Sequence, residues 1–230
     1  MDRPYSKLPP VGKKRIFIAI PMSKYAVLHA ETAGYCSVMN QHPDVVWGFV
    51  NAMSPEFSRN SLLEHHFHKD PNWTHVFFVD SDVVPPQDTL KKLLQLDADV
   101  ATGFYPLFLA EGIFWSVSDE TDNWILMTDI VPPQKEPIET QSCGAGCLLI
   151  RREVLVDIKW PWFKTEYQEI FLNEGKGIKQ GEDVFFCKKA TEKGYKVIAD
   201  PSVICKHFNG VDILRTFELI KQQLESKKDT

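Results

Sequence analysis

Thr74-His75-Val76-Phe77-Phe78-Val79-Asp80-Ser81-Asp82-Val83-Val84-Pro85-Pro86 is the stretch on which the reading of this chain turns. Residues 76–79 are a continuous apolar run, the signature of a strand buried on both faces. Two carboxylates one residue apart close it, and the prolines that follow predict a helix starting at Pro86, since proline is tolerated in a first helical turn. Open α/β sheets bind ligands at the carboxyl ends of their strands. Asp80 and Asp82 are therefore delivered to the position where a site would be built. Two hard oxygen donors at this spacing suit Mg²⁺ or Mn²⁺ holding a diphosphate. The expectation is a metal-dependent enzyme acting on a nucleotide-linked substrate.

Context carries this reading, because the pair itself is common. With 16 Asp in 230 residues, about one such pair arises by chance, and Asp97-Ala98-Asp99 is a second. That pair follows Lys91-Lys92-Leu93-Leu94-Gln95-Leu96, a helix by pattern, and reads as a solvated helix end leading into the strand at Val100.

Working outward, residues 15–20 read as a first strand stopped by Pro21, and residues 45–50 as a second. Residues 26–40 read as a helix between them. Residues 55–69 are helical in pattern, with Ser54 as N-cap. Residues 86–96 form the next helix and 99–104 the next strand. This alternation predicts a parallel sheet. The second half reads as mixed β structure: segments at 113–117 and 124–130, a strand at 145–150, a helix at 152–158, a long Gly- and aromatic-containing loop at 161–181, and a helix at 182–193 closed by Gly194. Short strands follow at 195–199 and 203–205. Residues 1–14 read as an irregular arm and 212–227 as a charged amphipathic helix before the tail.

Bulk properties narrow the class. The chain is long enough to bury one α/β core, and 43% hydrophobic with 25% charged residues excludes a disordered chain. A net charge of −5 gives no broad basic surface for nucleic acid. No run has the length of a membrane span, and Met1-Asp2-Arg3-Pro4 does not open a signal peptide. A cytoplasmic location is expected, with peripheral membrane association left open. Cys36, Cys143, Cys147, Cys187 and Cys205 lack zinc-type spacing and read as small buried side chains.

Three further motifs stand in order along the chain. Ser142-Cys143-Gly144-Ala145-Gly146-Cys147 is a Gly-rich turn feeding a strand. Gly181-Glu182-Asp183 puts adjacent acids at a helix N-terminus. Asp200-Pro201-Ser202-Val203-Ile204-Cys205-Lys206-His207 carries a late histidine. Each has a bland alternative: Glu182 and Asp183 as caps, His207 as a surface histidine, Gly144 and Gly146 as turn formers. His65, His66 and His68 read as a solvated cluster at a polar helix end.

The order of these motifs, in FFVDSDVVPP, GAGCLLIRREVL, GEDVFFCKKA and ADPSVICKH, resembles the GT-A glycosyltransferases, in particular those similar to glycosyltransferase family 2. The resemblance runs from about Arg15 to His207. It implies an α/β, Rossmann-like GT-A fold with a mostly parallel central sheet and a smaller mixed β part, as one domain over 1–230. It implies a nucleotide-sugar donor, an acceptor that is a glycan, a lipid-linked group or a protein, and Mn²⁺ or Mg²⁺ as cofactor. Carried over residue by residue, Asp80, Asp82 and His207 are metal ligands and Asp183 is the catalytic base, with Glu182 beside it contacting acceptor hydroxyls. Pro21, Met22, Arg59, Asp80 and Ser81 bind the donor. Gly144, Ala145, Gly146 and Trp162 bind the acceptor. An acid opening a helix is expected to stay ionised on the helix dipole. A nucleotidyltransferase is the competing enzyme class, but Ile20-Pro21-Met22-Ser23-Lys24-Tyr25 lacks the glycines of a triphosphate-cradling loop. A non-catalytic nucleotide- or glycan-binding module is the third reading.

Overall fold

The structure is a computed structural model, and it describes residues 14–24, 26–52, 54–109, 112–129, 136–169 and 176–208. The irregular arm read at 1–14 falls outside these but for Lys14, and the helix read at 212–227 lies wholly outside them.

The first half comprises β1 (Ile16–Ser23), α1 (Ala30–Met39), β2 (Val45–Ala52), α2 (Pro55–Leu62) running into a π-helical turn (Leu63–Phe67), β3 (His75–Val79), β4 (Val83–Val84), α3 (Thr89–Gln95) and β5 (Val100–Phe104). The second half comprises β6 (Pro106–Leu109), β7 (Gly112–Ser118), β8 (Trp124–Leu126), β9 (Ile138–Thr140), β10 (Cys147–Arg151), α4 (Arg152–Ile158), β11 (Glu166–Glu169), β12 (Lys176–Gln180), α5 (Glu182–Glu192), β13 (Val197–Ile204) and β14 (Lys206–His207).

Seven strands form the central sheet in the order β2-β1-β3-β10-β5-β13-β9. Pairings β1–β2, β1–β3 and β5–β13 are parallel. β10 is antiparallel to both β3 and β5, and β9 is antiparallel to β13. Five strands thus share one direction, as the alternation in the sequence implies, while β10 is threaded backwards into the middle. Every residue of β3 and β5 is buried, which is why both read as unbroken apolar runs. One face packs on Leu62, Leu63, Phe67, Leu155, Phe186 and Cys187 from α2, the π turn, α4 and α5. The other packs on Tyr35, Cys36, Leu90 and Leu93 from α1 and α3. All five cysteines are buried and free.

Local signals hold where a single residue decides them. Ser54 caps α2, its hydroxyl accepting Phe57 N–H at 3.2 Å. Gly194 adopts φ +89° past the end of α5, a conformation that favours glycine. Other expectations are corrected. α3 starts at Thr89, not Pro86: residues 86–89 form a turn, Thr89 N–H donating to the Pro86 carbonyl at 3.1 Å. Pro21 does not end β1. It lies beyond Ala19, the last residue paired with β3, where only β2 flanks the strand. The two late strands are one, β13, with an irregularity between Asp200 and Ile204. The loop at 161–181 contains the β11–β12 hairpin. His66 and His68 are not merely solvated: they stack on Phe17 and Trp162 at 5.9 and 4.8 Å.

Candidate active site

β3 ends at Val79 and presents Asp80, Ser81 and Asp82 at the carboxyl edge of the sheet. The backbone then turns, Val83 N–H donating to Asp80 O at 3.1 Å. Next, β4 pairs with β14, Val83 opposite His207. This ladder is only two residues long, yet it carries a histidine from the far end of the chain to Asp82: His207 Nε2 lies 3.6 Å from Asp82 Oδ2. His207 Nδ1 is 2.7 Å from the Pro106 carbonyl. A carbonyl only accepts, so Nδ1 carries a proton, and Nε2 is left to face Asp82, donating to it when the ring is protonated.

Arg59 holds the acids together. It is 3% exposed, on α2, with Phe78 and Phe163 rings beneath its guanidinium. Nη2 donates to Asp80 Oδ1 at 2.9 Å and Nε to Glu182 Oε1 at 3.5 Å, while Nη1 reaches the Ala145 carbonyl at 3.4 Å. One cation therefore joins the carboxyl end of β3, the opening of α5 and the Gly-rich turn. Read in the sequence as reaching a nucleotide or diphosphate, Arg59 is committed inside the cluster.

Tyr105 is the central residue that sequence reading missed. It follows β5 as Asp80 follows β3, so its position at the end of a buried strand was the available signal. Its hydroxyl accepts Gly146 N–H at 3.0 Å, and its ring meets His207 edge-on at 5.4 Å. A Cβ on Gly144 would lie 2.1 Å from the Tyr105 hydroxyl. One on Gly146 would lie 2.9 Å from the ring and 3.0 Å from Asp80 Oδ2. The two glycines are thus needed for close approach, and with Ala145 they floor the acid cluster.

Asp183 opens α5 with Oδ1 accepting Val184 N–H at 2.8 Å. The helix terminus does not lower this acid, although it stays ionised at neutral pH as expected. Burial and the adjacent Glu182 push its carboxyl up to about 6, against the lowering effects of Val184 N–H and Arg59. Desolvation outweighs the helix terminus. Asp80 is also raised, first by burial and then by Asp82 and Glu182, with Arg59 opposing. Burial lowers the His207 imidazole, but Asp82 and the Pro106 carbonyl more than offset it, so the net shift is upward.

The donor chemistry fits a divalent cation in part. Asp82 Oδ2 and His207 Nε2 face each other; a proton on Nε2 satisfies the contact, and a divalent cation held between the carboxylate and the neutral ring would take that proton's place. Asp80 does not complete the set, because its carboxylate is turned to Arg59. Among the described residues no group of three or more His, Cys, Asp or Glu is disposed to hold a metal ion.

The remaining sequence candidates divide. Ser81 is buried, its carbonyl accepting His29 N–H at 2.8 Å. Met22 is buried as well, its carbonyl accepting the Ser58 hydroxyl at 2.7 Å, so Pro21 and Met22 lie in the joint between β1 and α2. Trp162 is a core residue, 7% exposed, with Nε1 donating to Leu155 O and its ring stacked on His68. Both its polar tip and its flat face are occupied, and it offers no sugar platform.

No family model and no curated protein matches the chain. Among solved structures it is similar to the crystal structure of A197 from STIV, with a TM-score of 0.60 and 22% identity over 84% of this chain and 85% of that one. It also overlaps the crystal structure of GalNAc-T7 with UDP, GalNAc and Mn²⁺, with a TM-score of 0.49 and 11% identity over 86% of this chain and 44% of that one. The first likeness establishes shared architecture; the second is too loose to carry an argument. The fold is GT-A-like: a mixed α/β sheet with helices on both faces and the acid pair at a strand end. No helix among the described residues is long and apolar enough to cross a membrane.

Proposed function

We propose that this chain is a glycosyltransferase that moves a sugar from a nucleotide-sugar donor to an acceptor hydroxyl, within one domain. The supporting observation is convergence. Asp80, Asp82, Arg59, Tyr105, Asp183, Glu182 and His207 come from five separate elements or turns and form one acid-rich cluster at the carboxyl edge of the sheet. A site with more carboxylates than cations attracts a divalent ion and, through it, a diphosphate.

Asp82 and His207 would hold Mn²⁺ or Mg²⁺, with Asp80 lining the same edge. When bound, the ion supplies positive charge against the charge developing on the diphosphate leaving group. The chain's own residues do the rest. Asp183 accepts the proton of the attacking hydroxyl; raised to about 6, it is still ionised at neutral pH and is a stronger base than an ordinary aspartate. Arg59 fixes Asp80 and Glu182, and among the described residues Asp183 has no direct ion pair. A base on the acceptor side suits in-line attack with inversion at the anomeric carbon.

The test is a melting-temperature screen of nucleoside diphosphates with Mn²⁺ or Mg²⁺, followed by nucleotide-sugar hydrolysis. A ligand at a hundredfold excess over Kd should stabilise the fold by about 2.7 kcal/mol. Failure of every common nucleoside diphosphate to shift the transition with either metal would remove the donor site.

A further inference from the structure

A cleft of about 300 Å³ has Asp183 in its wall, together with Asp122, Trp124, Ser142, Gln180 and Lys188 among others. Its walls are prepared before any ligand arrives. In the turn between β7 and β8, Asp119 Oδ1 accepts the N–H groups of Thr121 and Asn123 at 2.8 and 3.0 Å and the Thr121 hydroxyl at 2.7 Å. That turn holds Asp122 at φ +66°, and Asp122 pairs with Lys188 of α5 at 3.2 Å. Trp124 follows directly and is half-buried, so part of its indole is available to the cleft. Ser142 is 1% exposed, and its hydroxyl has no hydrogen-bond partner among the described residues. An unpartnered buried hydroxyl is costly and calls for an explanation such as a bound polar group.

We infer that this cleft binds a pyranose ring of a carbohydrate acceptor, and that Trp124, Asp122 and Lys188 set that specificity. The inference rests on the glycosyl-transfer reading of Asp183 and names the acceptor class for it. A sugar ring presents hydroxyls around its edge and C–H groups on its faces. The Asp122 carboxylate accepts from hydroxyls, Lys188 and the Gln180 amide donate to them, and the indole covers a C–H face. A lipid tail finds too little apolar wall here. An extended peptide would need a free sheet edge or a longer groove. The volume lies at the lower end of small-molecule sites, which span roughly 300–1,000 Å³, and suits one ring with its hydroxyl turned to Asp183.

The experiment uses the full chain with Mn²⁺ and the best nucleoside diphosphate from the screen, titrated with methyl α- and β-pyranosides of glucose, galactose, mannose and N-acetylglucosamine and followed by saturation-transfer NMR. At least one pyranoside should bind through its ring C–H protons. Trp124→Ala and the milder Asp122→Asn, which tolerates the positive φ, should each weaken it at least tenfold while leaving the nucleotide-induced melting shift unchanged. If nucleotide binds but no pyranoside does, or if affinity survives both substitutions, the acceptor assignment is overturned and the donor reading stands. If nucleotide fails as well, both fall.

Discussion

Val83 and His207 face each other across a two-residue antiparallel ladder, and this pairing holds the imidazole 3.6 Å from the Asp82 carboxylate. The contact is non-local and short, so its geometry depends on β13 delivering the chain to the right edge. Truncating Asp82 or His207 therefore tests the site while leaving the buried Val83 in place.

Asp82→Ala and His207→Ala should each abolish the metal-dependent part of nucleotide binding, read as loss of the Mn²⁺-induced increment in melting temperature. Neither residue is itself a member of a core cluster, so the apo protein should melt within a few degrees of the parent. An unchanged increment in either variant would move the cation elsewhere.

Arg59→Met removes the one cation joining Asp80 to Glu182. Breaking such a buried pair typically costs about 3–5 kcal/mol, measured by urea unfolding at pH 7.5. The raised acids, Asp80 and Asp183, protonate more readily once Arg59 is gone. The loss should therefore shrink as pH falls toward 5. Equal losses at both pH values would mean that Arg59 acts by packing alone.

Gly144→Ala places a methyl 2.1 Å from the Tyr105 hydroxyl and should destabilise by roughly 1–3 kcal/mol, as overpacking does. Gly34 sits within α1, where a Cβ meets nothing within 4 Å, and Gly34→Ala should stabilise by roughly 0.5–1 kcal/mol. Denaturant midpoints of the two variants should move in opposite directions.

Asp183 is raised to about 6, above the ordinary aspartate value. As a base it works ionised, so transfer should be fully present above that value and fall about tenfold per unit below it. Asp183→Asn should retain nucleotide binding, lose most transfer and flatten this acid limb. A limb that persists in the variant would assign it to another group.

Much of this is legible before folding because each chemical residue sits beside a local signal. Asp80 and Asp82 close an apolar run, Asp183 stands in the first turn of a legible helix, and His207 comes just after the strand read at 203–205. What was not legible depends on pairing between distant segments. Periodicity gives a strand but not its direction, so nothing at residues 147–151 announces that they run backwards between β3 and β5. Without that placement, Gly146 could not be set against Tyr105, nor Arg59 understood as the bridge between Asp80 and Glu182. Trp162 illustrates the opposite error. An aromatic near a loop looks available until the carbonyl of Leu155 is found to hold its N–H. The ionisation of Asp183 needed burial, which no spacing reveals.

The reversed central strand also bears on how such a protein could diversify. β10 hydrogen-bonds to β3 on one side and β5 on the other, so the segment that opens with the Gly-rich turn is a keystone of the sheet's amino-terminal half. Exchanging the whole carboxyl-terminal half between relatives would pull that keystone out. On the proposed function, new acceptor preferences are more readily gained by grafting the β7–β8 turn or the β11–β12 hairpin, whose replacement leaves the seven-stranded sheet intact.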